Sequence, residues 1–211
     1  MRLSSIFFST GYLGSEFLTA YNSIEEYLSK TLSVKRFNHS KGTAKTAKEL
    51  AILYKEDSEK AYLAGLVHDC TREIDIKIQI EMLEALGIEV DEITLTTKEL
   101  LHAITAEYLM INQFNIYDKE VISAVKYHTT GRENMTLLEK ILFLADVIEP
   151  SRSFPGIDYI RQLAKSNIDE ALLEAFESSI KFLLYKRQMI HPSTFLARNY
   201  ILKHFKEREM G

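Results

Sequence analysis

Apolar residues return at three- and four-residue intervals along nearly the whole chain, and strict alternation is almost absent. Such a pattern fits helices that each bury one stripe, and leaves little that reads as strand. Breakers are scarce, with eight glycines and three prolines in 211 residues. Helices are predicted over 15–32, 40–54, 58–70, 76–86, 98–113, 118–127 and 136–148. One or two more cover 158–185, with a break near Ser166-Asn167, and a last one covers 193–207. Gly87 suits the residue after a helix end, Asp118 suits an N-cap, Pro150 stops the seventh helix, and Ser193 or Thr194 caps the last. The expected fold is all-α: one compact helical domain over 15–207, with 1–14 as an unassigned lead-in.

Several function classes are disfavoured at this stage. Lys and Arg number 26 against 30 Asp and Glu, a net charge of −4, which argues against broad nucleic-acid binding. A small phosphate ligand needs only a few arginines in a cleft. Cys70 is the single cysteine, so neither an internal disulfide nor a cysteine zinc site can form. No stretch has the roughly 18 apolar residues of a membrane span. The opening MRLSSIFFSTGYLGS has too short an apolar patch for a secretory signal. The expectation is a cytoplasmic protein with neither nucleic acid nor membrane as partner.

The chemistry concentrates in AGLVHDCTRE, Ala64 to Glu73, where an apolar run leads straight into His68-Asp69. A carboxylate in an apolar setting needs a salt bridge, a hydrogen-bond network or a metal. Neighbours on a helix differ by about 100°, so the pair can converge on one point; a hydrogen-bonded structural pair satisfies the pattern as well as a ligand pair. Asp146 sits in LLEKILFLADVIEP with little polar face around it. Lys140 and Arg152 are each six residues away and off its face, so it calls for a distant counter-charge or serves as a cap. His39 begins the second predicted helix, His102 shares a face with Thr105 and Ala106, and His128 ends the stripe of Val121, Ala124 and Val125. Each alone reads most simply as a satisfied core histidine. Four histidines and two aspartates facing inward together suit a metal such as Fe, Mn, Zn or Ni better than Ca.

The order His39, His68-Asp69, His102, His128, Asp146 resembles the HD-domain superfamily of metal-dependent phosphohydrolases. RFNHS at 36–40, KYHTTGR at 126–132, ADVIEPSRSFPGI at 145–157 and IHPSTFLARNYIL at 190–202 narrow the likeness. They resemble the bacterial YqeK-type family of symmetrical bis(5'-nucleosyl)-tetraphosphatases, over roughly residues 18–202. Two positions depart from that family's usual pattern: Arg72 replaces a lysine, and Ala103 follows His102 where a glycine is common.

The resemblance implies an HD-domain helical bundle that hydrolyses diadenosine tetraphosphate to two ADP. It implies one or two divalent ions, iron first, with Mn, Zn or Ni as alternatives. His39, His68, Asp69 and Asp146 are then the metal ligands, with His102 and His128 as further ligands or phosphate contacts, and His68 and Asp69 are the catalytic pair. Arg36, Arg72, His102, His128, Thr129 and Arg152 face phosphate, and Ile190, His191 and Pro192 line the base or ribose end. The implied partner is a dinucleoside polyphosphate or nucleoside diphosphate, with a homodimer as the assembly. Alternative expectations are another HD phosphohydrolase acting on a dNTP or alarmone, a di-iron oxygenase, and a nucleotide sensor without turnover.

Overall fold

A computed structural model describes residues 14–209, and the lead-in expected over 1–14 lies outside these apart from Gly14. Among the described residues there are eleven helices: α1 (Gly14–Thr31), α2 (Val34–Tyr54), α3 (Ser58–Val67), α4 (Ile76–Leu86), α5 (Glu92–Thr96), α6 (Lys98–Asn112), α7 (Lys119–Tyr127), α8 (Leu137–Ile148), α9 (Ile157–Leu163), α10 (Ile168–Tyr185) and α11 (Pro192–Glu209). The chain is all-α, as its periodicity predicts.

Local chemistry sets most of the boundaries. Asp118 caps α7 by accepting from the backbone N–H groups of Glu120 and Val121. Thr136 and Glu139 form a capping box at the start of α8. Asn167 caps α10, which divides the long predicted segment at the expected break. Gly87 ends α4 in the left-handed region at φ 65°.

Four elements differ from expectation. The second helix begins at Val34, not at residue 40, so His39 lies inside it. Its cap, Ser33, is held by Glu73, whose carboxylate accepts from the Ser33 N–H at 2.6 Å and hydroxyl at 2.8 Å. The third helix stops at Val67, which puts His68 at its C-cap and Asp69 in the turn that follows. The short α5, capped by Asp91, was not expected. The last helix opens on Pro192 rather than after a Ser193 or Thr194 cap; the His191 ring accepts the Ser193 N–H through Nδ1 at 3.1 Å.

Helix α8 runs through the middle, touching α2, α3, α7, α9 and α10. Ile141, Leu142 and Leu144 are fully buried there, with Leu66 of α3 and Phe176 of α10. Helices α2 and α3 approach closely at Gly65, where an added Cβ would stand 2.6 Å from Ala44 Cα and 2.8 Å from its nitrogen. That approach carries His39 and the turn after α3 to one place, and α6, α7 and α8 close the remaining sides.

Candidate metal centre

His39 from α2, His68 and Asp69 from the end of α3, His102 from α6, His128 from the end of α7 and Asp146 from α8 meet in one buried cluster. His68 is wholly buried, and only the Asp146 side chain, 17% exposed, opens noticeably to solvent. His39 Nε2 stands 2.9 Å from Asp146 Oδ1 and 3.6 Å from Asp69 Oδ2. His68 Nε2 stands 3.4 Å from Asp69 Oδ2 and 3.8 Å from Asp146 Oδ1. Donors at about 2.1 Å from one ion stand roughly 3 Å apart, so the four atoms suit a shared cation.

Two observations test that fit. The Nε2 atoms of His39 and His68 are buried without a hydrogen-bond partner. Their other ring nitrogens are fixed from behind: His68 Nδ1 donates to Gly65 O at 2.7 Å, and His39 Nδ1 lies 2.9 Å from Glu149 Oε1. His128 Nδ1 likewise donates to Val125 O at 2.6 Å. Each bond puts the ring proton on Nδ1 and leaves the Nε2 lone pair facing the cluster, as metal-binding histidines require. The ligand atoms of His39, His68 and Asp146 lie within 4.8 Å of one another, as do those of His68, Asp69 and His128. The donor set fits a divalent metal.

Both carboxylates are held charged, so the cluster draws positive charge to itself. Burial opposes ionisation of Asp146, but Arg152 and then His39 and His68 outweigh it and hold the carboxyl well below its usual range. Burial works against Asp69 too, and His68 and His102 reverse the effect. Burial pushes the His68 imidazole down, while the charges of Asp69 and Asp146 raise it by more. His128 is pushed down to about 3 by burial and by the imidazoles of His68 and His102, so its ring is neutral at physiological pH.

His102 is oriented differently. Arg72 Nη1 is 3.1 Å from His102 Nδ1. A guanidinium only donates, so Nδ1 accepts and the ring proton sits on Nε2. That Nε2–H faces Asp69 Oδ1 at 2.9 Å and His128 Nε2 at 3.2 Å.

The arginines take specific places. Arg36 Nη1 pairs with Asp69 Oδ2 at 2.6 Å. Arg152 lies beyond the end of α8 and folds back, with Nη2 on Asp146 Oδ1 at 2.5 Å and Nε on Asp146 O at 3.0 Å. The counter-charge of Asp146 is therefore Arg152, which helix geometry alone had set off its face. Arg132 is committed to the buried Glu139 at 3.0 Å, and Arg187 is exposed in a turn.

Thr129 is half-buried just past His128. In the loop of Ile190, His191 and Pro192, His191 Nε2 bonds Asp91 Oδ2 at 3.0 Å, tying the start of α11 to the cap of α5. Among the described residues no hydrogen bond or ion pair links this loop to the histidine cluster.

Sequence reasoning missed Glu149, which is 1% exposed and receives both the Ser151 N–H, at 2.8 Å, and the Ser151 hydroxyl. Burial opposes its charge, and the bonds from Ser151 and His39 lower its pKa regardless. The available signal was an acid three residues after Asp146 at the end of an otherwise apolar helix.

The helical frame and the His, His-Asp, Asp cluster define an HD-domain protein, and the HD domain family matches residues 36–151. The chain is 40% identical over 171 residues to the symmetrical bis(5'-nucleosyl)-tetraphosphatase of Halalkalibacterium halodurans, spanning 81% of this chain and 91% of the relative. It is 36% identical to the enzyme of the same name from Bacillus subtilis, again over 81% and 91%. A crystal structure from Clostridium acetobutylicum, described as a predicted HD superfamily hydrolase involved in NAD metabolism, superposes with a TM-score of 0.84. It is 41% identical and covers 87% of this chain and 97% of its own. The chain belongs to the family of symmetrical bis(5'-nucleosyl)-tetraphosphatases that carry an HD domain.

Proposed function

We propose that this protein is a metal-dependent symmetrical bis(5'-nucleosyl)-tetraphosphatase, cleaving diadenosine tetraphosphate to two ADP. The observation that carries the reading is the meeting of four imidazoles and two carboxylates around two orphaned Nε2 atoms, in a chain whose relatives bear that name. His39, His68, Asp69 and Asp146 would hold the ion, with His128 beside them. When bound, a divalent ion polarises a phosphoryl oxygen and makes water a better nucleophile at neutral pH. Imidazole and carboxylate donors suit Fe, Mn, Zn or Ni, and iron is the ion we favour.

The balance is simple: the oxygen of one water bonds to an internal phosphorus, the bridging P–O bond between the two ADP halves breaks, and the departing ADP oxygen is protonated or leaves charged. Phosphoryl transfer depends chiefly on positioning and charge. Asp69, fixed by Arg36 and His102, is placed to orient the water, whose proton passes to solvent or to the departing ADP oxygen. His102 holds its ring proton on Nε2 against Asp69 Oδ1 and so keeps that carboxylate in place. Arg36 and Arg152, with side chains 28% and 40% exposed, are the solvent-accessible cations on the two carboxylates, where phosphates would meet them. Both compensate carboxylates that a bound cation would also neutralise, which leaves their remaining N–H groups for substrate. Arg72 acts on His102 in this reading. The loop 190–192, held to Asp91 through His191, is the segment we assign to the nucleoside end.

Chelation followed by repletion tests the reading. Stripped protein should lose turnover and recover it with Fe(II) or Mn(II), and His68→Ala should not recover. Turnover by metal-free protein would contradict it.

A further inference from the structure

Arg161 lies outside every motif singled out in the sequence, yet it holds the turn that follows α8. From α9 its Nε donates to Ile148 O, and its Nη2 donates to both Glu149 O and Arg152 O, each at 3.0 Å. Its Nη1 reaches Asp158 Oδ1 at 3.0 Å, and the side chain is only 30% exposed. The last carbonyls of a helix have no partner within it. Here one planar fork reaches those of Ile148, the last residue of α8, and of Glu149, its C-cap, together with that of Arg152. The three carbonyls bracket the two side chains that the turn sends to the metal centre: Glu149, behind His39, and Arg152, on Asp146.

We infer that Arg161 is a positioning residue. It fixes the backbone from which the Arg152 guanidinium reaches over the centre, and so acts on phosphate binding through Arg152. The inference rests on the proposed function for the identity of the substrate. A lysine could not replace it fully, because an ammonium meets carbonyls as a point charge and lacks the fixed fork.

The test compares wild type, Arg161→Ala, Arg152→Ala and the double variant, each loaded with Mn(II). KM and kcat are measured on diadenosine tetraphosphate, and ADP binding is measured by calorimetry. Arg161→Ala is expected to raise KM and the ADP Kd about tenfold and to leave kcat within about threefold, since a misplaced Arg152 loses binding common to ground and transition states. In the Arg152→Ala background the second substitution is expected to add less than about twofold, because residues acting through one another are not additive. Multiplicative effects in the double variant overturn the inference. So does an Arg161→Ala protein with a lowered Tm but wild-type KM and ADP affinity. Should Arg161→Ala not fold, Arg161→Lys decides: a KM several times that of wild type supports the fork, and a wild-type KM overturns it. A wild type that turns over no diadenosine tetraphosphate contradicts the proposed function instead, and the ADP titrations still report on Arg161.

Discussion

His39 Nδ1 lies 2.9 Å from Glu149 Oε1, and the backbone of α2 makes room for that carboxylate at Gly42, where a Cβ would stand 2.6 Å from Glu149 Oε2. The contact joins residues 110 apart in sequence, one in α2 and one at the end of α8, and fixes the tautomer of one proposed ligand. On the proposed function, Glu149 is then a determinant of metal affinity, acting from behind His39.

Loss of that carboxylate should weaken the centre without dismantling the fold. Glu149→Gln is expected to reduce Mn(II) affinity about tenfold and Glu149→Ala by up to about a hundredfold, the usual range for partners behind metal-binding histidines. Competition against a fluorescent chelator reads this directly. Gly42→Ala should move affinity in the same direction by crowding Glu149. Unchanged affinity in all three would remove Glu149 from the account.

His68→Ala and Asp69→Ala should each lose stoichiometric metal and lower turnover more than about a hundredfold, while far-UV circular dichroism stays helical. His68 supplies a buried Nε2 without a hydrogen-bond partner, and Asp69 an Oδ2 within 3.6 Å of Arg36, His39 and His68, so neither loss can be made good locally. Near-wild-type turnover in either variant would show that the assignment is wrong.

The closest approach of α2 and α3 gives a stability prediction. At Gly65 a Cβ meets backbone atoms of Ala44, not the far end of a flexible side chain. Gly65→Ala should therefore cost about 2 kcal/mol or more through forced separation of the helices. For a chain of this size that corresponds to a fall in Tm of roughly 5 °C or more, measurable by thermal denaturation. A wild-type Tm would show that the pair relaxes freely.

Acid should weaken the tie between α3 and α7. Burial opposes the charge of Asp118, and the hydrogen bonds from Lys60 and from the backbone of Val121 and Glu120 lower its pKa below 3.8 despite that. A carboxyl lowered on folding contributes its full stabilisation above the unfolded value and loses it as pH falls through the folded one. Urea unfolding of wild type and Asp118→Asn at pH 7 and below pH 4 should show a difference of roughly 0.5 kcal/mol at neutrality, that of a partly exposed ion pair, which shrinks in acid. A difference that grows toward low pH would contradict the assignment.

Much of the frame could be read from the sequence because it is set locally. Asp118, Thr136, Asn167 and Gly87 end helices through bonds to their own neighbours, and the stripes of α6 and α8 name their buried faces. The early start of α2 could not be read, since its cap Ser33 depends on Glu73, forty residues away in sequence. The stop of α3 at Val67 is of the same kind, because the turn there is held partly by Thr71 donating to His102 O. The titratable residues of the cluster were visible as polar groups on apolar faces. Glu149, Arg161 and the return of Arg152 to Asp146 were not, because each depends on where a chain turn places a side chain.

The most direct measurement is the identity of the products. Purified protein with assayed metal content is incubated with diadenosine tetraphosphate, and the nucleotides are separated by anion exchange. ADP as sole product is expected, since attack at an internal phosphate leaves two equal halves. ATP with AMP would contradict the symmetrical cleavage at the centre of this account, and no product from iron- or manganese-loaded protein would contradict the hydrolase itself.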